Sequence, residues 1–227
     1  MAIQFVQSKS VGSVGTPSSL AVAYDSANTA GNLLVCAQTT NQDPTAPTDT
    51  LLNSWQSALA GTLPSNFNWM EIFYVANCLA GSNTVTITLG IKGAMCIAEY
   101  SGIRTTSPLD QANSGGGFGT ALSTGSINTT FSDELLVTGG EEEQNQSFSA
   151  GTNFNQREQA HNDSTNPNGC SLQDRIVTST GSYSGAQTIA SATNWNMHIA
   201  SFMGPARTTL YIKNTYRPAP FRPGFAS

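Results

Sequence analysis

The stretch "NLLVCAQTTNQ", residues 32–42, decides the fold once it is laid beside "ELLVTGGEEEQ", residues 134–144. Each holds a short run that suits a pleated, buried surface, bounded by Gly, Asn or Gln. A second pair, "MCIAEYSG" from Met95 and "MHIASFMG" from Met197, stands at the same separation of 102 positions. Sliding residues 31–102 over 133–204 without a gap gives about 16 identities in 72 pairs, against roughly five or six by chance, which is the mark of a repeated unit. The matches fall in strand-like segments and include Val75 with Val177, Thr86 and Ile87 with Thr188 and Ile189, and Gly102 with Gly204.

Outward from this pair the local signal is strand after strand. "IQFVQ", "SLAVAY", "WMEIFYVA", "TVTITL", "RIVTST" and "WNMHIASF" are short, β-branched or aromatic, and closed by turn residues. Only "LLNSWQSALAG" carries a hint of helical spacing, and its Asn and Ser residues suit a strand or turn as well. The expected fold is all-β: an antiparallel, jelly-roll-like β-sandwich over residues 1–206, built from two duplicated halves at about 12–102 and 114–204. In it each half closes its apolar face on the other. A two-domain arrangement is the alternative, but "NSGGGFGTALSTGS" matches "SVGSVGTPSSLAVA" of the first half and reads as a repeated loop, not a hinge.

"AGNLLVCA", "GSNTVTITL", "CIAEYSGIRTTSPLD", "DELLVTGG", "DRIVTSTGSYS" and "WNMHIASF" resemble a poorly characterised class of bacterial and phage β-sandwich domains with an A-E-Y-S-G segment followed by P-L-D. The resemblance covers residues 15–204 and implies a sandwich; it carries no activity, because its motifs are strand cores and turns. Adhesive or carbohydrate-binding use is what it suggests where such domains lie in large secreted proteins.

Charged residues make up 10% of the 227 and the formal net charge is −5. The surface is therefore polar and mostly neutral, a poor match for nucleic acid or an anionic membrane, both of which require clustered cations. The start, "MAIQFVQSKSVGS", lacks the cationic and apolar regions of a signal peptide, and no apolar run approaches the ~18 residues of a membrane span, so synthesis in the cytoplasm is expected, with a virion as the destination or, as the alternative, the cell surface or exterior by a signal-independent route. Cys36, Cys78, Cys96 and Cys170 show no CxxC spacing and are expected as buried free thiols; with only His161 and His198 beside them, no metal site and no cofactor is expected.

Catalytic constellations are thin. Glu99 is an acid inside an apolar strand, the setting that can make a general acid. Its counterpart in the second half is Ser201, so the repeat supplies no second carboxylate, and a Glu hydrogen-bonded into a turn or lying on a sandwich edge is the expectation. Glu71, opposite Gln173 in the repeat, is read in the same way. Glu141, Glu142 and Glu143 suggest a Ca²⁺ loop with Asp163, yet neighbours on an extended chain point to opposite faces, so a solvated loop is expected. No catalytic residue is assigned and the chain is read as non-enzymatic.

The closing stretch, "RTTLYIKNTYRPAPFRPGFAS", is unlike the rest. Residues 1–206 hold five Lys or Arg against fourteen Asp or Glu, a formal −9, and residues 207–227 add four cations and no acid. "TTLYIKNTY" alternates like a strand, while Pro218, Pro220 and Pro223 keep the remainder extended. This reads as an arm whose Arg207, Tyr211, Lys213, Tyr216, Arg217, Phe221, Arg222 and Phe225 contact a neighbour. The expected function is a structural assembly protein, a decoration or accessory protein of a phage virion that binds itself or other virion proteins. The alternative is a carbohydrate-binding module with Trp55 as an exposed platform for a glycan.

Overall fold

Pleated segments dominate because the apolar residues come in short β-branched runs that each fill one strand and stop at Gly, Asn or Pro. The computed structural model describes residues 2–59, 68–163 and 167–205. Fourteen strands follow in order: β1 Gln4–Gly12, β2 Ser19–Ala23, β3 Leu33–Thr40, β4 Thr48–Asp49, β5 Gln56–Ser57, β6 Trp69–Val75, β7 Thr84–Thr88, β8 Gly93–Ser101, β9 Leu109–Asn128, β10 Glu134–Glu142, β11 Ser149–Ala150, β12 Asn155–His161, β13 Gly169–Val177 and β14 Ser182–Met203. No helix occurs among the described residues, and hence none long and apolar enough to cross a membrane.

The protein is an all-β antiparallel sandwich. One central sheet has the order β1-β8-β3-β6-β5 and the other β9-β14-β10-β13-β12, with β11 also on β14. The core lies between them: Leu33, Val35, Ala37, Met70, Ile72, Cys96 and Tyr100 of the first sheet meet Leu135, Val137, Cys170, Leu172, Ala200 and Phe202 of the second. The register of the middle pair recurs across the chain. Leu33 pairs with Tyr100 and Val35 with Ala98, and 102 positions later Leu135 pairs with Phe202 and Val137 with Ala200.

The sequence led us to expect one apolar face per half, but the structure has two. All eight residues of β3 and all nine of β10 are buried. The reason is a further layer on each side. A separate sheet, β2-β7-β4, covers the outer face of the first central sheet through Val22, Val85 and Ile87 packed on Leu34, Cys36 and Ile97. Over the second sheet the cover comes from β9 and β14 themselves, which bend back on their own sheet so that Leu122 and Ile189 meet Met197, and Ile127 meets Leu136 and Ile199. Gly119, at φ 148°, and a break in register between Thr188 and Thr193 mark the bend.

One side of the sandwich is sewn shut. Ser8 and Ser10 of β1 each donate a hydroxyl to the Glu158 carboxylate of β12, both at 2.8 Å. Gly12 lies so close to the His161 carbonyl that a Cβ would overlap it. Arg157 then grips Asp174 with two hydrogen bonds, at 2.7 and 3.1 Å, while its guanidinium covers the Phe5 ring.

Candidate functional site

Buried ionisable groups gather at one end of the sandwich, where β10 and β14 carry polar residues inward. Alternation along β10 sets Glu141 on the face of Val137 and Gly139, and Glu143 follows on the same side. Glu141 is 1% exposed and accepts from Asn68 Nδ2 and Asn196 Nδ2, both at 3.1 Å. Glu143 accepts from Asn194 Nδ2 at 2.9 Å. Burial, with Glu143 as a nearby like charge, pushes Glu141 up to about 8, so it holds a proton at neutral pH. Lys92 stands within electrostatic reach of both acids, and burial pulls its own pKa down. The Asn68 and Asn196 Oδ1 atoms and the Trp195 indole N–H have no hydrogen-bond partner among the described residues.

The Glu-Glu-Glu run is thus not the solvated loop expected of it. Glu141 and Glu142 are the end of a buried strand, because the outer layer and the opposite sheet leave β10 no face in water, and Glu143, just past it, is half-buried. Glu142 points the other way, accepting the N–H groups of Gln144 and Gln146 at 2.7 and 2.8 Å, with His161 Nδ1 at 3.9 Å. Asp163 is engaged by the Gly15 N–H at 2.6 Å. No group of three or more His, Cys, Asp or Glu is placed to hold a metal ion among the described residues.

Trp55 is corrected as well. The sequence makes it an exposed platform, but it is 8% exposed, packed in the layer under β2, β7 and β4, with its indole N–H donated to Asp49 at 3.0 Å. Asp49 also takes the Leu51 and Asn53 N–H groups, so the tryptophan is the anchor of a turn and has no free face for a sugar. Glu99 is fully buried and holds four donors: Gln7 Nε2 (2.6 Å), Asn28 Nδ2 (2.8 Å), the Thr29 N–H (2.9 Å) and Asn32 Nδ2 (2.6 Å). It ties the 24–32 turn to the sheet. Glu71 accepts from the Ser57 hydroxyl, and its pKa is raised by burial. All four cysteines are free and buried.

The other end gathers the chain's crossings. Here Met203 N–H bonds Pro108 O at 2.8 Å, Arg104 N–H bonds Met203 O at 3.0 Å, and Gly204 N–H bonds Asp133 O at 2.7 Å. The Arg104 guanidinium lies 4.2 Å from the Phe131 ring centroid. Ile103, Arg104, Thr105, Thr106 and Pro205 line an open groove of about 370 Å³. Pro205, the last described residue, lines this groove beside the start of β9. The arm residues Arg207, Tyr211, Lys213, Tyr216, Arg217, Phe221, Arg222 and Phe225 lie outside the described residues.

β9 starts beside this groove and presents a long edge that is unpaired among the described residues. Its first part, 109–119, pairs with β14 on one side, and no described strand pairs with the other. The Gln111 N–H is turned to β14, donating to Ser201 Oγ at 3.2 Å, whereas the Ser114 N–H is taken by the neighbouring Asn113 Oδ1 at 2.8 Å. No charged residue and no proline occurs from Gln111 to Asn128. Its pattern of small, uncharged residues is visible in the sequence; that one edge is open is a property of the sheet order alone. Comparison of the chain with protein-family models, curated proteins and solved structures finds no match.

Proposed function

We propose that the chain is a non-enzymatic structural subunit of an assembly, with a phage particle as its setting, whose arm clasps a neighbouring copy or another virion protein. What supports this is a cationic, acid-free segment that follows Pro205, the last described residue, next to a strand edge that is unpaired among the described residues and carries no charge from Gln111 to Gly119, on a body of formal charge −9. The buried acids favour the same reading. Glu99 and Glu141 are each held by amide side chains facing into the protein, an arrangement suited to fixing loops. The strand order and middle-pair register shared by the two central sheets support descent of both halves from one repeated unit. The carbohydrate-binding alternative loses its platform with the burial of Trp55.

Self-association of the intact protein, followed by sedimentation equilibrium, tests the proposal. Phe221→Ala combined with Phe225→Ala is expected to weaken association far more than raising salt to about 1 M does, because burial of aromatic rings outweighs screened ion pairs. A protein that stays monomeric at every concentration, or that binds defined sugars on a glycan array, overturns it.

A further inference from the structure

We infer that the open edge of β9, residues 109–119, is the acceptor for the arm of a second copy, which adds residues 208–216 to it as an extra strand. The inference rests on the assembly reading above and names the surface it uses.

Among the described residues the other strands that end a sheet are closed or short. β1 and β12 close on each other through Ser8, Ser10 and Glu158. β4, β5 and β11 are two residues long, and β2, flanked by Pro17, has five. After a register shift at Asp110, β9 offers residues 111–119 in one unbroken register before the bend at Gly119. Open edges are normally blunted by lysine, proline or inward charge, since unpaired N–H and C=O groups recruit another strand. The 111–119 run carries none of these.

The backbone is arranged for it. Alternate N–H groups of an edge strand face away from its partner. With Gln111 turned to β14, the outward set includes Ser114, whose N–H is occupied only by its neighbour's side-chain amide. An incoming carbonyl takes the place of Asn113 Oδ1, and the Asn113 amide keeps its bond to the Ser126 carbonyl at 2.9 Å. The occupant follows from charge and from where the described residues end. The segment "TTLYIKNTY" alternates as a strand does and carries one cation and no acid, so it meets no like charge on β9. A chain using its own arm would have to cross the end of β9 and then run parallel to it, since β14 ends at Met203 where β9 begins. Parallel pairing is the less stable mode. A second copy approaches antiparallel without that crossing.

The experiment uses the full chain and a synthetic peptide of residues 207–216. The peptide is expected to dissociate the assembly. Backbone N-methylation at one alternate set of its residues should abolish this, and at the other set leave it intact, because only one edge of an added strand pairs. A photoreactive group in place of Tyr211 in the peptide should label residues 109–119. Ser114→Pro, which removes an outward N–H and no bond to β14, should weaken self-association at least tenfold while the melting temperature stays within a few degrees of the parent. If the peptide acts equally in both methylated forms, or labels another surface, the β9 inference fails. The assembly reading stands in that case, provided the Phe221 and Phe225 substitutions still weaken association. A chain that never associates sinks both.

Discussion

The two halves of this sandwich share a middle pair of strands in the same register and differ in how they cover it. In the first half the outer layer is a separate sheet: β1 and β2 are parted by a segment containing Gly15 and Pro17, and β7 and β8 by Gly90. In the second half the corresponding strands run together as β9 and β14 and bend back over their own sheet. Pro17 cannot donate to a ladder, so the first half must break where it stands. The matching segment of the second half has glycines and no proline, which allows a bend without a break. The same core can thus be closed by either route, and continuity of the strand is a local matter.

The buried acids extend the comparison and offer the largest test of it. In the first half Glu99 is the acceptor for the turn; in the second its position is Ser201, and the carboxyl moves to Glu134, which takes the Phe131 N–H at 3.0 Å where Glu99 takes that of Thr29. Glu99→Ala leaves the buried Asn28 and Asn32 amides without this acceptor and loosens the part-buried bonds from Gln7 and Thr29, and is expected to cost about 3 kcal/mol in chemical denaturation, against about 1 kcal/mol for Ser201→Ala. Equal losses would show that the two turns do not depend on these positions in the way described.

Next in size is the pH response of the second half. The pKa of Glu141 is raised in the folded state, to about 8, so its burial costs nothing below the unfolded value and stability is lost as pH rises towards and through 8. Glu141→Gln should therefore remove part of the fall in stability between about pH 5 and 9, a gain of about 2–3 kcal/mol at the upper end in urea unfolding. A parallel profile for parent and variant would mean that water reaches the carboxylate. Smaller again is the packing contrast at Ala37 and Gly139, which occupy the same place in the two halves and face each other across the core. A Cβ on Gly139 would overlap Met70 Cε and lie 3.2 Å from the Ala37 Cβ. Gly139→Ala should cost about 1–2 kcal/mol, softened by the flexibility of methionine. The double change Ala37→Gly with Gly139→Ala should recover part of it.

The smallest effect is expected where Cys36 of one half becomes Thr138 of the other. Thr138 is fully buried and its hydroxyl has no partner among the described residues, so Thr138→Val should raise stability by about 1 kcal/mol by calorimetry. Destabilisation there would reveal a bond to water that the valine has broken.

The strand content and the relation between Leu33–Val35 and Leu135–Val137 were legible in the sequence, because β-branched periodicity and a fixed offset are local properties of the chain. The candidate site was legible only in part. A segment of one charge sign can be read from composition, but the open edge of β9 cannot, since which strand lies outermost depends on pairings between residues far apart, such as Leu109 with Phe202. Trp55 and the Glu141–Glu143 run were misjudged for the same reason. Each is polar or amphipathic in its local context, and what buries it is a layer contributed by distant residues: β2, β7 and β4 over the first, Asn68 and Asn196 around the second. Sequence by itself determined that this chain makes strands. Tertiary structure decided which faces are covered and which edge is left open, because burial and edge exposure are sums over long-range contacts that no single stretch contains.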